Sequence, residues 1–121
     1  MTFEHDTTRT ADAEVIVLTG ATFDEFVATA DLPVLVDFTA TWCPPCRQLS
    51  PVLHRLAVDL RGRLRIAEVD VDADPALAVR FGVRGAPTMV LLLDGAAVAV
   101  LVGARGRDRL LADLEPHLQP V

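Results

Sequence analysis

Lysine is absent from this 121-residue chain: all 11 basic residues are arginine. Without a lysine amine, Schiff-base chemistry and P-loop phosphate binding are excluded. Positive charge is scarce altogether, because 17 acidic side chains outweigh those 11 and leave a net charge of -6. No basic footprint exists for a nucleic-acid backbone, and an anionic membrane surface is disfavoured equally. The two cysteines are too few for a disulfide scaffold, and too few for a four-ligand structural zinc site unless histidines complete it. Long apolar runs are missing too. Met89–Leu93 and Ala96–Val102 are strand-sized and fall short of the roughly 18 residues that a membrane-spanning helix needs. Residues 1–13, MTFEHDTTRTADA, hold no apolar stretch that could act as a signal-peptide core, so a cytoplasmic setting is expected.

What is present suffices for one core. With 51% hydrophobic and 23% charged residues, a chain of this length buries roughly 65% of its unfolded surface. The expected organisation is a flexible tail over residues 1–13 and a single domain over 14–121. Glu14–Leu18 is a β-branched run that reads as a strand. Thr22 and Glu25 have the spacing of a capping box before a helix near 22–30, in which Phe23, Phe26 and Val27 share a face. Val34–Phe38 is continuously apolar except for Asp37, the pattern of a strand buried on both faces. A helix from about 44 to 60 follows, with Leu49, Val52, Leu53, Leu56 and Leu60 on one face and an expected kink at Pro51.

Leu64–Val71 reads as a third strand, and Asp74 as the cap of a short helix over 75–80. Residues 82–87 form a loop before the strands 88–93 and 96–102, which Asp94-Gly95 joins in a tight hairpin. An amphipathic helix from about Arg107 to Pro116 closes the chain. The order is β-α-β-α-β-α-β-β-α, an α/β fold.

Cys43-Pro44-Pro45-Cys46 stands at the start of the second helix. That placement brings two sulfurs within disulfide reach and sets the first against backbone N–H groups and the positive end of the helix dipole, which favours thiolate. Cys43 is then the nucleophile, and Cys46 resolves the mixed disulfide. Taken alone, the spacing also describes half a metal site, with His54 as a third ligand.

Further segments carry a resemblance. Val36-Asp37-Phe38, Trp42-Cys43-Pro44-Pro45-Cys46-Arg47, Pro51, Gly85-Ala86-Pro87-Thr88 and Gly103 stand in the order found in the thioredoxin family, over nearly all of residues 14–118. The resemblance implies a thioredoxin fold, a central mixed sheet flanked by helices, and dithiol-disulfide exchange on protein substrates. It implies a cis Pro87 against the sulfurs, a Trp42 that shields them and contacts partners, and a small apolar docking patch at Ala86, Gly103 and Ala104. Asp37 resembles the family's buried aspartate, whose implied role is proton exchange with Cys46. His5, His54 and His117 match no catalytic position of the family.

Three departures from the family's commonest pattern bear on chemistry. Pro44-Pro45 replaces Gly-Pro, which removes a backbone donor, stiffens the loop and biases the helix to begin one residue later. Glu68 occupies the place where many members have a lysine, so Asp37 is expected to stay protonated further toward neutral pH. Thr39 stands where a second tryptophan is frequent, and Arg47 keeps a positive charge near Cys43.

The expected function is a cytoplasmic protein-disulfide reductase, monomeric, with no bound cofactor or metal, acting through a redox-active disulfide. No dinucleotide-binding G-x-G-x-x-G occurs, so electrons come from a separate thioredoxin reductase. The same residues could also serve an oxidase, an isomerase or a redox-regulatory protein. A non-catalytic interaction module is the alternative of another kind.

Overall fold

The computed structural model describes residues 13–119, so all but Ala13 of the expected tail lies outside the described residues. Strands β1 (Val15–Val17), β2 (Val34–Thr39), β3 (Arg65–Asp70), β4 (Thr88–Leu93) and β5 (Ala96–Val102) form one sheet in the order β1-β3-β2-β4-β5. β1 and β2 run parallel to β3, whereas β4 runs antiparallel to both β2 and β5, so the sheet is mixed. Helices α1 (Phe23–Thr29), α2 (Pro44–Asp59), α3 (Pro75–Arg80) and α4 (Arg107–Leu114) cover it.

β2 takes the centre because five successive residues, Val34–Phe38, are buried and only a strand covered on both faces can use such a run. Side-chain alternation then sorts the core into two layers. Leu35, Ile66, Met89 and Leu91 meet Leu49, Leu53 and Leu56 of α2 and Leu110 and Leu114 of α4. On the other face Val36, Phe38 and Val69 meet Phe23 of α1 and Leu77 of α3. Each fully buried leucine contributes about 2 kcal/mol, so the leucine stripe of α2 fixes the helix that carries the cysteines.

The hairpin forms as expected, with Asp94 and Gly95 both at positive φ, 50° and 82°, the backbone that Asp-Gly tolerates best. The expected capping box does not form. Thr22 precedes α1 but makes no side-chain cap; its Oγ1 instead accepts the N–H of Thr19 at 3.0 Å. Asp74 makes no side-chain cap for α3 either, because its Oδ1 accepts the N–H of Gly20 at 2.8 Å and ties two loops together.

α2 begins at Pro44 itself rather than one residue later, since prolines fit a first turn whose N–H groups have no intrahelical acceptor. It continues through Pro51 to Asp59. The last helix ends at Leu114 and passes into a 3-10 turn, Glu115–His117, around Pro116.

Candidate active site

β2 ends at Thr39, and the following loop delivers Trp42 and Cys43 to the N-terminus of α2. Cys43 is the N-cap of that helix and is disulfide-bonded to Cys46, with their Cα atoms 5.3 Å apart. Pro44 and Pro45 have no N–H, so Cys46 supplies the first donor of the helix, and it points at Cys43 Sγ over 3.2 Å. The next donor, Arg47 N–H, is taken by the Cys43 carbonyl at 3.3 Å. Hence a thiolate at Cys43 would rest on one backbone N–H and the helix dipole.

Both sulfurs are buried with Ala40 in a small apolar cluster, against which Val71 and Ala86 pack. The Ala86–Pro87 peptide is cis. It places the Ala86 carbonyl 3.3 Å from Cys43 Sγ, where it can accept a thiol proton in the reduced state. Because Thr88 and Val102 are in register across β4 and β5, the loop before one strand adjoins the loop after the other. Gly103, at φ 92°, donates its N–H to the Pro87 carbonyl over 2.9 Å. Ala104 follows it on the surface. Trp42 is 64% exposed, and its indole N–H donates to Asp72 Oδ2 over 2.7 Å.

Arg47 keeps its charge on the helix that carries the sulfurs, but its guanidinium donates to the Thr41 carbonyl at 3.0 Å and makes no hydrogen bond to sulfur among the described residues. His54 is exposed on α2 and His117 lies in the 3-10 turn, while His5 falls outside the described residues. Among the described residues no group of three or more His, Cys, Asp or Glu side chains is placed to hold a metal.

Asp37 lies behind the disulfide. Strand alternation turns it to the α2 face, in register with Glu68 on β3 and Met89 on β4. Only 2% exposed, it has one carboxylate oxygen, Oδ1, without a hydrogen-bond partner among the described residues. Burial pushes its pKa up from 3.8 to about 7, and the Glu68 carboxylate adds to the rise. A cavity of about 320 Å³ joins Asp37, Glu68 and Cys46. The arrangement is a vicinal dithiol-disulfide couple, with a carboxyl that titrates near neutrality behind its inner sulfur.

The family model for thioredoxin matches residues 14–116. The chain belongs to the thioredoxin family. A thioredoxin of Mycolicibacterium smegmatis is 44% identical over 109 residues, covering 88% of this chain and 97% of that protein. A thioredoxin of Haemophilus influenzae is 38% identical over 106 residues, 88% of this chain and 99% of the other. A bifunctional thioredoxin reductase/thioredoxin of Mycobacterium leprae is 46% identical over 99 residues, 82% of this chain and 22% of that larger protein. The solved structure of a mutant thioredoxin from Halobacterium salinarum superposes with a TM-score of 0.83 at 38% identity, over 92% of this chain and 96% of that one.

The protein is accordingly a thioredoxin-family thiol-disulfide oxidoreductase, a protein-disulfide reductase that works through a redox-active disulfide. Sequence reasoning missed two supporting residues. Asp72, which orients the Trp42 ring, sits among the alternating acids Asp70, Asp72 and Asp74, where nothing distinguishes it. Arg105 donates to the Val102 carbonyl and pairs with Asp113, each over 2.7 Å, and so pins the Gly103 loop to α4. An arginine directly after Gly103-Ala104 was the available signal.

Proposed function

We propose that, in reducing disulfides of other proteins, Cys43 is the attacking thiolate, Cys46 the resolving thiol and Asp37 the base that takes the Cys46 proton. In the first step Cys43 Sγ bonds to a substrate sulfur and the other substrate sulfur leaves as thiolate. Cys46 then gives its proton to Asp37 and bonds to Cys43 Sγ, releasing the second substrate thiolate. Two electrons pass to the substrate, and the Cys43–Cys46 disulfide is left behind. The observation that carries the reading is the 3.2 Å contact from Cys46 N–H to Cys43 Sγ, which supports thiolate at the outer position.

Trp42, Ala86, Pro87, Gly103 and Ala104 form the docking face, with Pro44 and Pro45 at its rim. A substrate segment in extended form lies along the Ala86–Pro87 backbone. Arg47 and Glu68 tune the site through charge. A separate thioredoxin reductase returns the disulfide to dithiol, a pairing supported by the M. leprae relative that carries both activities in its name. A monomer in a reducing cytoplasm suits this direction of electron flow.

The test is the equilibrium reduction potential of the couple, together with turnover of a protein disulfide in the presence of a reductase. A potential of about -270 mV, characteristic of thioredoxins, with net reduction that Cys43→Ser abolishes, is expected. A value of about -200 mV or higher without net reduction would turn the reading to oxidase or isomerase. Biological activity that survives Cys43→Ser would turn it to a binding module.

A further inference from the structure

β5 is the open edge of the sheet. The opposite edge, β1, offers three residues, whereas β5 runs for seven, Ala96–Val102, without a charge or a proline. Such residues guard the edge strands of monomers, because outward N–H and C=O groups otherwise pair with another strand. A register irregularity between Leu91 and Leu92 leaves Val98 as an extra residue of β5, and the regular edge runs from there to Val102.

The bond from Gly103 N–H to the Pro87 carbonyl fixes which backbone groups point outward, since their direction alternates along an antiparallel pair. Gly103, Leu101 and Ala99 turn theirs toward β4, and Val102 and Val100 turn theirs away. In agreement, the Val102 carbonyl accepts from the Arg105 guanidinium at 2.7 Å. The same residues carry exposed side chains: Val98, Val100 and Val102 are 41%, 55% and 71% exposed. Val100 stands opposite Val90, so this stripe lies on the sheet face of the Phe38 cluster, beyond the cover of α1 and α3.

We propose that β5 pairs antiparallel with β5 of a second copy, about a two-fold axis at Val100, as a weak and reversible dimer. The segment Val98-Ala99-Val100-Leu101-Val102 is self-complementary under that rotation. Val100 meets Val100, each Val98 meets Val102, and Ala99 meets Leu101, a small side chain against a large one. Because the Val100 N–H and C=O both point outward, the central pair exchanges both hydrogen bonds, and on either side Val102 N–H reaches the Val98 carbonyl. The Arg105 guanidinium on the Val102 carbonyl marks where the open edge ends. The rotation also brings the exposed Asp94 turn of each copy to the loop that carries Arg105 in the other, opposite in charge. Symmetry thus supplies a match that an unrelated strand lacks. One strand edge buries less than the about 1,200 Å² of a stable complex. Monomer therefore prevails in dilute solution, and pairing emerges as the concentration nears about 1 mM.

The test is a dilution series of the wild-type protein from about 1 mM to 0.02 mM, followed by sedimentation velocity and amide NMR. Dithiothreitol is present throughout, which removes dimers joined by disulfides. The sedimentation coefficient is expected to rise with concentration, and the largest amide shifts to fall on Val98–Val102. Deuterium exchange at the Val100 and Val102 N–H groups should slow about threefold at the highest concentration. Val100→Arg sets two like charges on the axis and should stay monomeric, with an unfolding midpoint within about 2 °C of wild type. The proposal is overturned if wild type stays monomeric at about 1 mM, if the shifts centre on Trp42 and Pro87, or if Val100→Arg associates as wild type does. Should that variant unfold, the position of the wild-type shifts and exchange still decides.

Discussion

The N–H of Cys46 and the Sγ of Cys43 form the one backbone-to-sulfur hydrogen bond of the first turn of α2, at 3.2 Å. N-cap side chains accept from the second or third helical N–H, and Pro45 occupies the second position. Pro45→Ala therefore adds a donor within reach of the sulfur, whereas Pro44→Gly adds one too early in the turn to reach it. Thiolate absorbance of the reduced protein at pH 7 should rise about threefold in Pro45→Ala, the effect of one added hydrogen bond to the charged form. It should hardly change in Pro44→Gly, and equal effects of the two would contradict this geometry.

Asp37 also governs stability. Its carboxyl titrates near 3.9 when unfolded and at about 7 when folded, so the folded state holds the proton more tightly. Stability is then lost as pH rises from about 4 to 7, and the full penalty persists above, at most about 4 kcal/mol. Asn does not titrate. Asp37→Asn should therefore be about 2 kcal/mol less stable than wild type near pH 4, where only the buried amide differs, and about 2 kcal/mol more stable at pH 8. Urea denaturation at both pH values decides, since a gap independent of pH would remove the carboxyl as its cause.

Asp72 holds the exposed Trp42 ring through a 2.7 Å hydrogen bond. Asp72→Ala leaves the sulfurs untouched but frees that ring. KM for a protein disulfide is expected to rise about threefold with kcat preserved, as fits the loss of one hydrogen bond at an exposed site. A fall in kcat at constant KM would place Asp72 in the chemistry instead.

Gly103 sits at φ 92°, and open space surrounds the position that a Cβ would occupy. Gly103→Ala thus meets no clash, only an unfavourable backbone. The expected cost is about 1 kcal/mol in thermal or urea unfolding, together with weaker substrate binding, because the Gly103 N–H anchors the Pro87 carbonyl. Unchanged stability would show that the loop relaxes to negative φ.

The order of elements was legible because each type of burial leaves its own pattern. Val34–Phe38 reads as a central strand, Leu49, Leu53 and Leu56 as a helix face, and Asp94-Gly95 as a hairpin turn, since these signals are local. Capping was misjudged at Thr22 and Asp74 because each oxygen had a competing N–H, from Thr19 and Gly20 respectively. At the site, Asp37 stood out in its apolar strand and Glu68 only through the resemblance to the family, and their facing depends on the parallel register of β2 and β3. Asp72 was beyond reach for the same reason, its partner being a ring 30 residues away in the chain.

Trp42 has one more consequence, for optics. The chain has a single tryptophan and no tyrosine, so its near-ultraviolet emission comes from one ring. That ring is solvent-facing and adjoins the reactive sulfur in the chain. Changes at the docking face are thus read without an attached dye, and a spectral change on mixing with a partner reports on this face rather than on the phenylalanine-lined core behind it.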